Sequence, residues 1–303
     1  MTAERREDKR DCPTALLFIN QYARSGDSSK SYVAQLLQSH NIAVIEPGRQ
    51  KAASCGDIIR AHAHEVDFVI IGGGDGTLNA AAQALVDTGL PLGVLPLGTA
   101  NDFARTLEIP KDLRLAVQVI AAGNLRTIDL GVVNGHLFFN VSSIGFSAAL
   151  ARGLSAKSKK RWGTLGYALA AFKLLKQSRP FSVEIECDGV REKVRTVQIS
   201  VGNGRFYGGG MTVEQTAAPD DGRLDIYSLE ISHWWEMLAL VPFLRRGTHG
   251  RWRKVRTFSA TRLTLHTSKA HDINADGELI GKTPATFTIR EKTIQVFSPK
   301  IVE

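Results

Sequence analysis

The sequence predicts an α/β amino-terminal domain on a doubly wound, mostly parallel sheet, followed by a β-rich sandwich domain. Three observations carry that expectation. Over the first third of the chain, short apolar runs alternate with segments of helical period. Beyond about residue 125 strand-like runs follow one another through glycine-containing turns. At 303 residues the chain is also long for one hydrophobic core, since a domain holds about 100–200 residues.

TALLFIN (14–20), IAVIE (42–46), DFVII (67–71) and LGVLP (92–96) are rich in Val, Ile and Leu and bounded by Gly, Pro or Asn. Such runs suit strands buried on both faces. Between them lie SSKSYVAQLLQSH, with Val33, Leu36, Leu37 and His40 at helical spacing, then KAASCGDIIRAHAH, then TLNAAAQALVDT beginning near Leu78. A βαβα rhythm of this kind calls for a parallel sheet with helices on both sides. The first domain is assigned to 1–128.

The second domain, 129–291, is assigned from IDLGVVNGHLFFNVSSIG, FSVEIECDG, EKVRTVQISVGNG, RLDIYSLE, RLTLHT and DINADGELI, with ATFTIR and TIQVFS as two further strand-like runs. Helical segments near 163–177 and 233–245 interrupt them. Consecutive short strands joined by glycine turns predict antiparallel sheets packed as a sandwich.

The composition is that of an ordinary globular protein, 43% hydrophobic and 22% charged. The charged start MTAERREDKR lacks the apolar run of a secretory signal, and no run of 18 apolar residues occurs. A cytoplasmic location is expected, with peripheral contact at the inner face of the membrane. Cys12, Cys55 and Cys187 are too far apart for a zinc-like spacing and odd in number, which argues against a disulfide framework. A formal net charge of +8 favours an anionic partner. No nucleic-acid-binding module accompanies it, so nucleic acid is not an expected partner.

The stretch VDFVIIGGGDGTLNAAAQAL runs from a buried strand through bare backbone into a helix. Gly73 and Gly74 let main-chain N–H groups approach a phosphate, and the following helix adds the positive end of its dipole. A tight turn without a ligand has the same letters. Asp75-Gly76-Thr77 adds a carboxylate able to work with a metal and a hydroxyl able to bond an oxyanion. A dinucleotide fingerprint needs a third glycine where Thr77 stands and an acid near residue 96, where the chain reads PLGT. GELIGKT (277–283) mimics a P-loop, yet the first glycine slot falls on Asp276 and Pro284 stands where a helix should open. A second loop, LPLGTANDFART (95–106), offers Gly98, Thr99 and Asp102 at the end of the next strand. In a doubly wound sheet neighbouring strand ends share one crevice.

Four Asp-Gly pairs, at Asp75, Asp188, Asp221 and Asp276, read first of all as turns. HWWEMLALVPFLRRGTHGRWRKVR (233–256) mixes tryptophans with basic residues, which fits an interfacial segment, but composition favours a helix packed on its own domain followed by a solvated basic loop. Lys157, Lys159, Lys160 and Arg161 form a second basic cluster of the same ambiguity.

GGGDGTLN (72–79), LGTANDFAR (97–105), GGGM (208–211) with DDGRLD (220–225), and ADGE (275–278) together resemble the diacylglycerol kinase catalytic family, nearest to its bacterial soluble lipid kinases of the YegS type. The likeness spans about 14–298. It implies an ATP-dependent kinase acting on a lipid hydroxyl of the diacylglycerol, phosphatidylglycerol or sphingoid type, with ATP on the first domain and the lipid between the two. It also implies that a last strand, about 292–303, returns to the first domain. Carried over by motif, Asp276 is the base and Glu278 its helper; Asn20, Gly73, Gly74, Asp75, Gly76, Thr77, Gly98, Thr99 and Asp102 hold the nucleotide. Asp221, with the carbonyls of Ala218 and Arg223, holds Mg2+. Two departures stand out: Asn20 is followed by Gln21 where the family commonly has proline, and Ala80 replaces a frequent glutamate. Two other functions are compatible with these residues: a kinase for NAD or another small alcohol, and a catalytically silent nucleotide-binding sensor at the membrane.

Overall fold

The computed structural model describes residues 12–20, 26–47, 54–153, 172–174, 176–207, 211–212, 218–246 and 252–300. The basic cluster 157–161, the glycines 208–210, residues 247–251 of the basic stretch and most of the helical segment expected near 163–177 lie outside these residues; of that segment 172–174 and 176–177 are described, and they are helical.

The amino-terminal half follows the alternation expected: β1 (Thr14–Ile19), α1 (Gly26–Ser39), β2 (Ala43–Ile45), α2 (Cys55–His62), β3 (Phe68–Gly73), α3 (Asp75–Thr88), β4 (Leu92–Pro96), α4 (Asp102–Thr106) and α5 (Leu113–Ala121). β1 pairs in parallel with β2 and β3, and β3 with β4. Every residue of β3 and β4 is buried, which is why these strands read as unbroken apolar runs. Helix α3 starts three residues earlier than its apolar period suggested. Gly74 is its extended N-cap, so Asp75, Gly76 and Thr77 form the first turn, where an acid complements the helix dipole.

Then come β5 (Leu125–Val133), β6 (His136–Phe138), β7 (Val141–Gly145), α6 (Phe146–Gly153), β8 (Phe181–Cys187), β9 (Val190–Thr196), β10 (Gln198–Gly202), β11 (Phe206–Tyr207), β12 (Met211–Thr212), β13 (Leu224–Leu229) and α7 (Trp234–Arg246). The chain ends through β14 (Val255–Ala260), β15 (Arg262–Thr267), β16 (Asp272–Ala275), β17 (Glu278–Lys282) and β18 (Ala285–Phe297). EKVRTVQISVGNG, one run in the sequence, is two strands in different sheets, because the chain turns between Thr196 and Gln198. ATFTIR and TIQVFS, two runs in the sequence, are one strand with an irregularity around Lys292, whose φ is 48°.

That strand joins the halves of the molecule. β18 pairs antiparallel with β15 and β5, and Val296 pairs in parallel with Leu92 of β4. One sheet therefore runs β2-β1-β3-β4-β18-β15-β8-β9. A second, antiparallel sheet, β14-β13-β10-β7-β16-β17, faces its carboxy-terminal part across a core that includes Phe138, Ile144, Ile199, Leu263 and Phe287. Its other face carries a smaller cluster under α7, with Val141, Tyr227, Met237 and Leu240. Among the described residues no helix is long and apolar enough to cross a membrane.

Candidate active site

The crevice opens where chain order and sheet order part. From β1 the chain steps one way to β2 and later builds β3 and β4 on the other side, so the carboxyl ends of β1 and β3 diverge. A cavity of about 560 Å³ lies there. Asn20, Gly74, Gly76, Thr77, Gly98 and Thr99 line it, joined by Phe18, Leu97, Cys55 and Ala80 and by Glu278 from the second half of the chain.

The two glycine loops touch main chain to main chain. The Gly98 N–H donates to the Gly73 carbonyl at 3.1 Å. A Cβ on Gly98 would lie 2.4 Å from Gly74 Cα, and one on Gly73 would lie 2.6 Å from Thr77 Oγ1. No side chain fits at either position. Asn101 fixes the second loop from within: its Oδ1 accepts from Gly98 N–H at 2.9 Å and its Nδ2 donates to the carbonyls of Pro96 and Gly98. Asn20 donates from Nδ2 to Thr77 Oγ1 at 2.9 Å, while its N–H bonds the Gly72 carbonyl, tying the end of β1 to the first turn of α3. The cavity thus meets bare backbone, two hydroxyls and the amino terminus of a 14-residue helix, an arrangement suited to phosphate oxygens.

Asp75 and Asp102 do not line the cavity. Asp75 turns toward α4, accepting N–H bonds from Asp102 at 3.2 Å and Phe103 at 3.0 Å. Asp102 is buried, and its main chain serves Asp75.

Asp276 occupies the turn between β16 and β17, with φ 46° followed by Gly277 at 92°, as a tight hairpin requires. Its residue is half-buried, and its carboxylate curls inward. Oδ2 accepts from Phe139 N–H at 2.7 Å; Oδ1 accepts from Asn140 N–H at 3.0 Å and Val141 N–H at 3.1 Å. Desolvation pushes this carboxyl up to about 6; the three N–H groups pull it back in part, and the charge of Asp75 adds to the rise. A carboxylate poised near neutrality can accept a proton from an alcohol.

Asn140 connects the two acids. While its N–H holds Asp276, its Nδ2 donates to Asp75 Oδ1 at 3.3 Å. It is 3% exposed and, with its carbonyl, also anchors Asn203 and Gly204 through their N–H groups. The motifs did not single it out. The available signal was a lone amide inside the apolar run FFNVSSIG. Glu278, two residues past Asp276, faces the first turn of α3: a Cβ on Gly76 would meet its Oε1 at 3.7 Å. Cys55 was also missed as a cavity residue; burial pushes its thiol up to about 12, so it is a packing group and not a nucleophile.

Asp221 stands apart from this cavity, in the turn before β13. Its Oδ1 accepts from Arg223 N–H at 3.0 Å and its Oδ2 from Ala218 N–H at 3.4 Å. Burial raises its carboxyl pKa; those two bonds lower it, and neighbouring Asp129 and Asp220 raise it again. A carboxylate oxygen is a donor type that a hard divalent cation accepts, although neighbouring Asp220 is itself paired with Arg126 at 2.6 Å. No group of three acidic, histidine or cysteine side chains suited to a metal occurs among the described residues, so a cation here would draw on main-chain carbonyls and water.

Residues 14–133 match the diacylglycerol kinase catalytic domain, and 140–298 match the YegS C-terminal NAD kinase beta sandwich-like domain. A Bacillus subtilis protein named diacylglycerol kinase is 32% identical over 278 residues, 89% of this chain and 92% of its own. A Staphylococcus aureus protein of the same name is 28% identical over 300 residues, 98% and 90% of the two chains. A solved structure from Bacillus anthracis str. Sterne superposes with a TM-score of 0.79 at 24% identity, covering 97% of this chain and 98% of that one, a likeness of fold. The amino-terminal crevice, the sandwich whose hairpin closes on it and the relatives agree: the chain belongs to the diacylglycerol kinase family of lipid kinases, with a YegS-type carboxy-terminal domain.

Proposed function

We propose that the chain transfers the γ-phosphoryl group of ATP to the free hydroxyl of a diacylglycerol-type lipid, with magnesium as the divalent ion. One observation carries the reading: Asn140 holds both Asp276 and Asp75, so the second domain's carboxylate stands against the helix whose first turn lines the phosphate crevice.

In this reading Gly74, Gly76, Thr77, Gly98 and Thr99 cradle the triphosphate, with Asn20 setting the Thr77 hydroxyl. Asp75 braces α3 against α4, with Asp102 as its main-chain donor. Asp276 takes the proton of the attacking alcohol as the oxygen–phosphorus bond forms, and Glu278 helps to order the phosphates' counter-charge. A divalent ion bound with the ATP phosphates, distinct from any ion at Asp221, would neutralise charge building on the phosphate oxygens. Asp221 and the carbonyls of Ala218 and Arg223 are the groups that would hold magnesium at the turn before β13, which then acts as a fixed support for Asp129 and β18. NAD as acceptor is the second reading; the family likeness of the carboxy-terminal domain to an NAD kinase sandwich favours keeping it in the test.

The test is transfer of label from γ-labelled ATP, with magnesium, to diacylglycerol, phosphatidylglycerol, a sphingoid base, a ceramide and NAD. Label in diacylglycerol is expected. Label in NAD alone overturns the lipid assignment, and no label in any acceptor, with ATP still bound, makes the chain a nucleotide sensor.

A further inference from the structure

Among the described residues, helix α7 packs on the second sheet through one side, and at its far end Phe243 also meets Trp252, with ring centroids 5.5 Å apart. Met237 and Leu240 enter the cluster on the outer face of the second sheet, and Glu236, 3% exposed, turns inward with them. Glu236 is the helix's single acid, and it is fully engaged: Lys254 Nζ lies 2.7 Å from Oε2, and the ring and N–H of His233 bond Oε1. The opposite side carries Trp235, Leu238, Ala239, Pro242 and Phe243, all exposed. Their spacing of i, i+3, i+4, i+7 and i+8 is one face of a helix. Trp235 is 55% exposed, Leu238 44% and Phe243 36%, although helices of water-facing proteins place such residues inward.

The surroundings of that face are aromatic and basic. Phe172, 38% exposed, stands edge-on to Trp234 with ring centroids 5.5 Å apart, and Lys176 Nζ lies 5.6 Å above the Trp234 ring. Lys173, beside Phe172, and Arg253, beside Trp252, are exposed. An outward apolar stripe without acids, bordered by amphipathic aromatics and cations, matches the acyl boundary and headgroup layer of an anionic bilayer. A second copy of the chain is a poor occupant, because two such basic borders would face each other on a protein of net charge +8.

We propose that the exposed face of α7 docks this chain onto an anionic lipid bilayer, with Trp235, Leu238 and Phe243 inserted and Lys176 at headgroup level. The inner side of the helix packs on the same cluster that contains Val141, whose N–H holds Asp276. The proposal deepens the lipid-kinase reading but is testable apart from it.

The experiment is co-sedimentation of the full chain with vesicles of phosphatidylglycerol and phosphatidylcholine, or of phosphatidylcholine alone, beside the Trp235→Glu/Leu238→Glu double variant and Lys176→Glu. The wild type should bind the anionic vesicles, with weaker binding at high salt. The double variant should lose at least tenfold in partitioning on both vesicle types, with an unchanged thermal unfolding profile, and Lys176→Glu should lose several-fold on the anionic vesicles only. A wild type that ignores anionic vesicles, or a double variant that binds them equally well, overturns the proposal. So does a concentration-dependent dimer that the double variant abolishes, which would make the face a contact between copies. Phosphorylation of detergent-dispersed diacylglycerol, measured in parallel, separates the two ideas: the double variant should retain it, and its absence in a wild type that still binds vesicles removes the kinase reading while the docking face stands.

Discussion

Two Asp-Gly hairpins in the sandwich differ only in what lies beneath them. Asp188 and Gly189 join β8 to β9 with φ of 50° and 77°; Asp276 and Gly277 join β16 to β17 with 46° and 92°. Both obey the same turn chemistry. At the first, the carboxylate accepts, among the described residues, from the neighbouring Cys187 thiol at the edge of the sheet. At the second, it meets three consecutive main-chain N–H groups of 139–141 as β6 gives way to β7. A turn becomes a chemical group when another segment presents donors to it.

Substitution at these turns gives the largest expected contrast. Asp276→Asn should lower turnover by about 10³-fold, the scale of a lost general base, while ATP binding persists. Asp188→Asn should leave turnover within twofold. Steady-state kinetics beside equilibrium nucleotide binding check both, and an Asp276→Asn enzyme of near-normal turnover removes the base from the mechanism.

The pH dependence follows from the raised carboxyl. Below about 6 Asp276 is protonated and cannot accept, so kcat/KM should climb roughly tenfold per pH unit up to that point and then level. Stability runs the other way. The folded carboxyl binds its proton more tightly than the unfolded one, so its stabilising contribution is complete below about 4 and is lost as pH rises through about 6. Unfolding midpoints of wild type and Asp276→Ala, measured from pH 4 to 7, should show the wild type losing ground across this window. A constant difference contradicts the raised carboxyl.

The link between the acids comes next in size. Asn140→Ala removes a hydrogen bond to a charged group, about 1.5–3 kcal/mol, and should lower kcat ten- to a hundredfold with KM for ATP little changed. Gly98→Ala acts on the other substrate: its new Cβ would press on the Gly74 main chain, and nucleotide affinity should fall at least tenfold. Calorimetric ATP titration distinguishes these two variants, since only the second should lose binding.

Much of the fold was legible because buried parallel strands write themselves as continuous apolar runs, as in DFVII and LGVLP. The glycine loops were legible for a related reason: only missing side chains allow Gly74 and Gly98 to touch. Asn140 was not, since its role depends on a neighbour 65 residues back in the chain and another 136 ahead. The single strand β18 was hidden by a polar middle, Arg290 to Thr293, that looks like a break but runs along an exposed irregularity. Helix α7 was ambiguous because its sequence is apolar on both faces; the burial of Glu236, Met237 and Leu240 against the exposure of Trp235 and Leu238 separates them.

The smallest effect sharpens the comparison most. Neither Gly189 nor Gly277 has an atom within 4 Å of where a Cβ would go, so alanine fits both in space and suffers only from positive φ. Each substitution should cost about 1 kcal/mol of stability. At Gly189 nothing else should change. At Gly277 the strained turn also re-aims the preceding carboxylate, so Gly277→Ala should lose several-fold in turnover at the same stability cost. Equal turnover in the two variants would mean that the three donors of 139–141 alone hold Asp276 in place, and that the hairpin contributes no aim.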